Sequence, residues 1–235
     1  MALTINYELS LNGKLLVATL RDFLEQTRTR AREIGCEYVG AIEKVKYDRE
    51  ELWRWLYHGP GQGRWQRWRP VRPTRGYVVG ICPGEGCDIA LFGLCRYPHL
   101  IHDVPVSRST EIESDWIMRH CCTTQYAADF GWEHFLRCHK QVLSLLEFWQ
   151  HLGATVEVRD EGGYWDTQSE DGLRDVLNQY HRLIAMCAGA MKDAAEATGS
   201  GLRVEAPIFN RPDFEHLEHE GMQEVRRQFK TVTPS

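Results

Sequence analysis

From Leu3 to Leu11 apolar and polar positions alternate, with Leu3, Ile5, Tyr7, Leu9 and Leu11 set against Thr4, Asn6, Glu8 and Ser10. This is the period-two pattern of a half-buried strand. Asn12 then stands as an N-cap, and Leu16, Leu20, Phe23, Leu24, Thr27, Ala31 and Ile34 recur at helical spacing until Gly35. An amphipathic helix closed by a glycine is predicted there. Strand character resumes over Cys36–Tyr47, followed by a helical stub around Glu50–Tyr57. His58–Pro73 has glycines, prolines, tryptophans and arginines without a sustained period and reads as a long loop. Gly76–Cys82 and Asp88–Leu94 are apolar runs around Pro83-Gly84-Glu85-Gly86, which predicts a β-hairpin. Arg96–Ser114 reads as a connection.

The second half repeats the layout. Trp116–Cys122 is strand-like, and Asp129–Leu152 has the inner face Phe135, Leu136, His139, Val142, Leu143, Leu146, Trp149 and Leu152, stopped by Gly153. Ala154–Arg159 alternates as a further strand. Thr167 and Glu170 have capping-box spacing and open a helix over Glu170–Ala197, with the stripe Leu173, Val176, Leu177, Tyr180, Ile184, Cys187, Ala188, Met191 and Ala195. Ala188-Gly189-Ala190 allows close approach to a neighbour, and the residues after Pro207 form a tail with one more short helix.

Two β-α-β elements and a hairpin predict an α+β fold, a mixed β-sheet with long helices packed mainly on one face. Residues 1–201 are expected to form a single domain with an Arg/Trp-rich loop at 58–75, and residues 202–235 an acidic C-terminal tail. If 116–122 and 154–159 run parallel in one sheet, the loops after them come to the same end, where ligands bind in open α/β units.

Composition narrows the class. At 235 residues and 43% hydrophobic content the chain can bury a sizeable core. It shows no basic-then-apolar leader and no apolar run long enough to cross a bilayer, so a soluble, cytoplasmic protein is expected, its eight cysteines reduced. The formal charge of −5 conceals a basic stretch, Arg64, Arg67, Arg69, Arg72 and Arg75, with no acidic residue between them.

Four constellations carry candidate chemistry. At the strand ends, Thr124, Gln125, Tyr126, Asp160, Glu161, Tyr164 and Trp165 combine hydroxyl, amide, carboxylate and aromatic groups suited to a small polar ligand or a hard cation. Cys82, Cys87 and Cys95 with His99 and His102 have ligand chemistry, but no Cys-x-x-Cys pair exists in the chain, so core filling is preferred and no metal site is assigned. Cys121 or Cys122 with His134 or His139 has the elements of a thiol nucleophile. His134 and Cys138 share a helical face by their spacing of four, which also suits a metal pair. His139 falls on the apolar stripe as a hydrogen-bonded core histidine, and the tail pair His216 and His219 reads as part of a solvated acidic face.

The last constellation is the loop with Arg64, Trp65, Arg67, Trp68, Arg69 and Arg72. Arginines can neutralise phosphates while tryptophans stack on bases. The acidic remainder of the chain repels a polyanion, so an acidic protein surface is the favoured partner. The sequence has no dinucleotide fingerprint, phosphate-binding loop or nucleophile elbow, and it specifies no cofactor. The expected function is therefore a binding or interaction protein with a polar-ligand site at the strand-end loops. The alternatives are a metal-assisted hydrolase using Asp160 and Glu161, and single-stranded nucleic-acid binding through the Arg/Trp loop.

Overall fold

In the computed structural model the described residues are 3–11, 13, 15–46, 48–58, 67–103, 106–109, 116–198 and 203–232. The chain divides into two compact units, Thr4–Glu161 and Gly162–Ser235, the latter taking in Met1–Leu3.

The Thr4–Glu161 unit runs β1 (Thr4–Leu11), α1 (Val17–Glu33), β2 (Tyr38–Val39), β3 (Glu43–Lys44), a 3-10 turn over Glu50–Leu52, β4 (Arg54–His58), β5 (Arg67–Val71), β6 (Arg75–Cys82), β7 (Ala90–Arg96), β8 (Leu100–Asp103), β9 (Val106–Ser109), β10 (Trp116–Thr123), a 3-10 turn over Gln125–Phe130, α2 (Trp132–His151) and β11 (Thr155–Asp160). The main sheet has the order β11-β1-β10-β7-β6-β2, with β3 also on β6. The class is α+β, as the patterning predicts.

β1 pairs antiparallel with both β10 and β11. The two strands that α2 connects therefore run the same way, with β1 inserted between them. Period two then sorts the side chains. Ile5, Tyr7 and Leu9 of β1 are buried with Met118 and Cys122 of β10, while Thr4, Asn6, Glu8 and Ser10 take the opposite face.

Helices α1 and α2 cover the apolar face. Trp149 of α2 lies 6.3 Å from the Phe23 ring of α1 and 6.4 Å from that of Phe92 in β7. Tyr7 stacks on Phe92 at 5.7 Å and donates its hydroxyl to the Leu91 carbonyl at 2.7 Å, which satisfies its buried polar end. Gly35 closes α1 at φ 76° and Gly153 follows α2 at φ 93°, both in the left-handed region that glycine enters without strain.

Four local expectations are corrected. Cys36–Tyr47 is not one strand: it forms only β2 and β3, interrupted at Gly40, whose N–H donates to Gly80 O at 2.9 Å. The stub at Glu50–Tyr57 is a single 3-10 turn that leads into β4. The long loop 58–75 begins and ends in a hairpin, with β4 pairing β5 from Arg54↔Val71 to His58↔Arg67. The connection Arg96–Ser114 likewise carries the β8–β9 hairpin. Arg64 and Trp65 lie outside the described residues, and only the backbone of Arg67, Trp68 and Arg69 is described. Arg72 stacks its guanidinium over Trp53 at 4.5 Å, a contact that fixes one end of the segment within its own unit.

The second unit comprises α3 (Tyr164–Thr167), α4 (Glu170–Thr198), a 3-10 turn over Pro207–Asn210 and α5 (Phe214–Val232). Ser169, not Thr167, caps α4, its Oγ accepting the Gly172 N–H at 3.0 Å. The expected tail contains a 19-residue helix packed on α4. Ala185 and Ala188 of α4 meet Ile208 and Leu217 in a small apolar cluster. Helix approach is close because Gly221 leaves space beside the Arg182 carbonyl, which an added Cβ would meet at 2.5 Å. Arg182 pairs with Glu224 at 3.4 Å and Glu220 at 3.8 Å, so part of the acidic bias is neutralised inside the unit. Among the described residues, no helix is long and apolar enough to cross a membrane.

Candidate functional site

β1 starts between the ends of β10 and β11. Thr4 stands opposite Thr123, and Ile5 stands opposite both Cys122 and Asp160. The two loops thus leave the sheet about 10 Å apart, on either side of one strand. The Thr4 N–H donates to Glu161 Oε2 at 3.2 Å, and the Glu161 N–H returns to Thr4 O at 3.2 Å.

A buried polar chain joins the loops beneath the sheet. The Thr124 hydroxyl lies 2.9 Å from His139 Nδ1, and His139 Nε2 lies 3.3 Å from the Asp160 carboxylate. Thr124 and His139 are 0% exposed, as is the Asp160 side chain. An ionised carboxylate only accepts, so the Nε2 proton points to Asp160 and a neutral ring accepts the Thr124 proton at Nδ1. Hydroxyl, imidazole and carboxylate follow one another as in a hydrolase relay. Here the hydroxyl is sealed from solvent, so no substrate reaches it. The chain acts as a brace that ties both strand ends to α2.

Of the other predicted site residues, Gln125 is buried in its 3-10 turn and Tyr126 is exposed. The turn between β6 and β7 is seated on this loop: the Asp88 N–H donates to Thr123 O at 2.9 Å, and the Thr123 N–H donates to Asp88 Oδ2 at 3.2 Å. Tyr164, buried, and Trp165, half-buried, belong to α3 of the second unit. The structure therefore brings together Thr124, Asp160 and Glu161 through Thr4 and His139.

Glu161 borders a concavity that was not predicted. On the open face of β11, β1 and β10 a pocket of about 510 Å³ is lined by Asn6, Glu8, Arg119, Glu157, Arg159 and Glu161. Glu8 stands directly opposite Glu157, a like-charge pair that is unfavourable on its own. Arg119 at 2.9 Å and Arg54 at 3.4 Å neutralise Glu8. Among the described residues no ion pair or side-chain hydrogen bond engages Glu157 or Arg159. The alternation of β1 and β11 marks these positions as outward-facing, but it does not reveal a hollow.

The predicted cysteine sets separate. Cys95 pairs with Gly76 at one end of β6, whereas Cys82 ends that strand, about 20 Å away. His99 is exposed, and the side chain of His102 lies outside the described residues. Cys122 is buried, donates to Asp88 O at 3.2 Å and is pushed well above the ordinary thiol range by burial. Cys121 is exposed and also raised, by partial burial and then by the Asp88 and Glu161 carboxylates. Neither is an activated nucleophile. His216 pairs with Glu220 at 3.4 Å, while His219 lies 2.8 Å from Gln223.

Cys138 is different. Its sulfur lies 3.6 Å from His134 Nε2, beside Cys87 from the β6–β7 turn. The neighbouring Cys87 thiol is the main cause lowering the Cys138 thiol to about 6; burial opposes this, and His134 and Arg137 reinforce it. Cys87 is correspondingly raised far above the ordinary range, first by the neighbouring Cys138 and then by burial.

Comparison of the chain with protein-family models, curated proteins and solved structures finds no match. Any functional reading therefore rests on the sites themselves.

Proposed function

We propose that the Thr4–Glu161 unit is a binding module whose open-face pocket takes a small polar ligand carrying both a cationic and an anionic group. The observation that carries this reading is the charged pocket of about 510 Å³ with Glu157 and Arg159 on adjacent outward positions of β11. Its volume falls within the range of small-molecule sites, roughly 300–1,000 Å³, although such sites are mostly apolar. A lining rich in carboxylates and guanidiniums selects a ligand with complementary charges of both signs. The brace of Thr124, His139 and Asp160 supports the reading by holding the strand ends that frame Glu161, since preorganised sites lose less entropy on binding.

A metal-assisted hydrolase gains less support. The Asp160 carboxylate is turned inward to His139, and among the described residues no group of three His, Cys, Asp or Glu side chains is arranged to hold a metal ion. For the Arg/Trp segment, the Arg72–Trp53 stack favours packing within the unit over nucleic-acid binding.

The test is a thermal-shift panel of free amino acids and phosphorylated amino alcohols. A ligand at about 100 times its Kd stabilises by about 2.7 kcal/mol. Glu157→Gln and Arg159→Gln should each abolish that shift while changing the unliganded stability by less than about 0.5 kcal/mol, as exposed substitutions do. A ligand that still binds both variants equally well would place its site elsewhere.

A further inference from the structure

The two edges of the main sheet are built differently. At one end β2 and β3 are two residues each, interrupted between them at Gly40, and so short an edge discourages further pairing. At the other end β11 runs unbroken from Thr155 to Asp160 in one register with β1. It has no proline, lysine or bulge to blunt it. Among the described residues β1 is its only strand partner.

The register decides which backbone groups of β11 are left over. The Glu161 N–H donates to Thr4 O, so Thr4 and Glu161 are a hydrogen-bonded pair. Alternation then makes Asn6 with Arg159, and Glu8 with Glu157, pairs of the same kind. Thr123, on the other flank of Thr4, accordingly turns its N–H and carbonyl away from β1 to Asp88. By the same alternation the N–H and carbonyl of Val156 and Val158 point away from β1, toward the edge. Glu157 and Arg159 are exposed on the open face, while Val156 and Val158, opposite Leu9 and Tyr7, are half-buried on the helix-covered face.

We propose that β11 pairs with β11 of a second copy of the chain, antiparallel about a two-fold axis through Val158, so that the two main sheets continue into one another. The charges on the edge select this occupant. Antiparallel copies exchange hydrogen bonds only in registers that set an outward-pointing residue against another, and each such register centres the axis on one residue. Centred on Glu157, the strands would overlap over 155–159 with Glu157 facing its own copy. Centred on Arg159, arginine would face arginine. Like charges directly opposite are destabilising. Centred on Val158, the overlap is 156–160, Glu157 faces Arg159 of the second copy, and Arg159 faces its Glu157. Both are non-hydrogen-bonded pairs, the kind that brings side chains closest. Axes at Val156 or Asp160 shorten the overlap. The edge is thus complementary to itself, whereas a peptide of arbitrary sequence would meet its backbone groups but not both charges. The backbone bonds hold the pair and the charges choose its register. The two open-face pockets come to lie side by side, with Arg159 of each copy beside Glu157 at the rim of the other's pocket.

The experiment follows the full chain, without ligand, by sedimentation velocity over a wide range of concentration. The wild type should form a dimer that dissociates on dilution. Glu157→Arg sets arginine against arginine at both positions, and Arg159→Glu sets glutamate against glutamate. Each should weaken the dimer at least about tenfold. The combined variant exchanges the two signs and should restore it. Val158→Pro removes the donor on the axis, a change that an edge strand accepts where its N–H faces outward, so the monomer should keep its fold and the dimer should be lost. Should that variant fail to fold, the charge exchange decides, together with hydrogen exchange: the peptide spanning 155–160 should be protected in concentrated wild type and lose that protection on dilution. A wild type that stays monomeric at every concentration would overturn the proposal, as would a dimer that survives Glu157→Arg unchanged or is not regained in the combined variant. The ligand reading of the pocket fails separately: the combined variant should keep the dimer while losing a ligand that needs Glu157 and Arg159 in place, and a monomeric wild type that still binds such a ligand would sink the pairing alone.

Discussion

His139→Ala should destabilise the Thr4–Glu161 unit by at least about 3 kcal/mol, because taking a donor from a buried acceptor costs about 1–3 kcal/mol and more where the acceptor is charged. The Asp160 side chain is wholly buried, with His139 Nε2 at 3.3 Å. Removing the imidazole takes a donor from a carboxylate that water cannot reach. The lost ring also packs against Phe135 at 5.6 Å. Thr124→Val keeps the shape and removes only the hydroxyl, so its cost should be that of one unsatisfied buried acceptor, about 1–3 kcal/mol. The double variant should lose less than the sum, because the second substitution removes a group already deprived of its partner. Urea denaturation of the four proteins measures this directly. A loss below about 1 kcal/mol for His139→Ala would mean that the chain does not brace the strand ends.

The large elements were legible because each repeats its period long enough to dominate. Ile5, Tyr7 and Leu9 mark a strand face, and the stripe from Phe135 to Trp149 marks α2. Pairing was less legible. Nothing local tells β1 to insert between β10 and β11, since that choice is made by side chains more than a hundred residues apart meeting across the sheet. The short strands β2 and β3 are defined by the edge of β6 rather than by their own alternation. The β4–β5 hairpin was obscured for a related reason: prolines, arginines and tryptophans carry no helical or strand period over so few residues. At α4, Thr167 offered the capping-box spacing, but its hydroxyl donates to Gly163 O at 2.7 Å within α3, which leaves Ser169 to cap.

The candidate sites divide the same way. That the loops after β10 and β11 leave the same end of the sheet followed from the order of strand, helix and strand. Their connection through His139 did not, because burial on the apolar stripe says that a histidine needs partners without saying which. Glu157 and Arg159 are outward positions in any reading, and only the shape of the sheet makes them line a pocket. For the thiols, local spacing drew attention to Cys82, Cys87 and Cys95, three neighbours in sequence of which the β6–β7 register carries Cys95 to the far end of β6. Cys138 was visible as a neighbour of His134 on one helical face. Its meeting with Cys87 depends on where the β6–β7 turn is held.

That placement makes Gly86 the most sensitive position of the turn, and Gly86→Ala is expected to cost at least about 2 kcal/mol. The residue sits at φ +80°, where a side chain costs about 1–2 kcal/mol. An added Cβ would also lie 2.5 Å from Tyr126 O, 2.6 Å from Tyr126 C and 2.7 Å from Ala127 N. These are backbone atoms of the loop after β10, which the brace anchors to α2, so they cannot yield as a flexible side chain would. The turn must lift instead, and Cys87 lifts with it. Gly163→Ala is the control: its backbone is left-handed at φ 69° and ψ 7°, but an added Cβ meets nothing within 4 Å, so only the backbone strain remains. Thermal denaturation should therefore rank Gly86→Ala clearly below Gly163→Ala. Equal stability losses in the two would show that the turn is not held by close contact with the Tyr126 backbone.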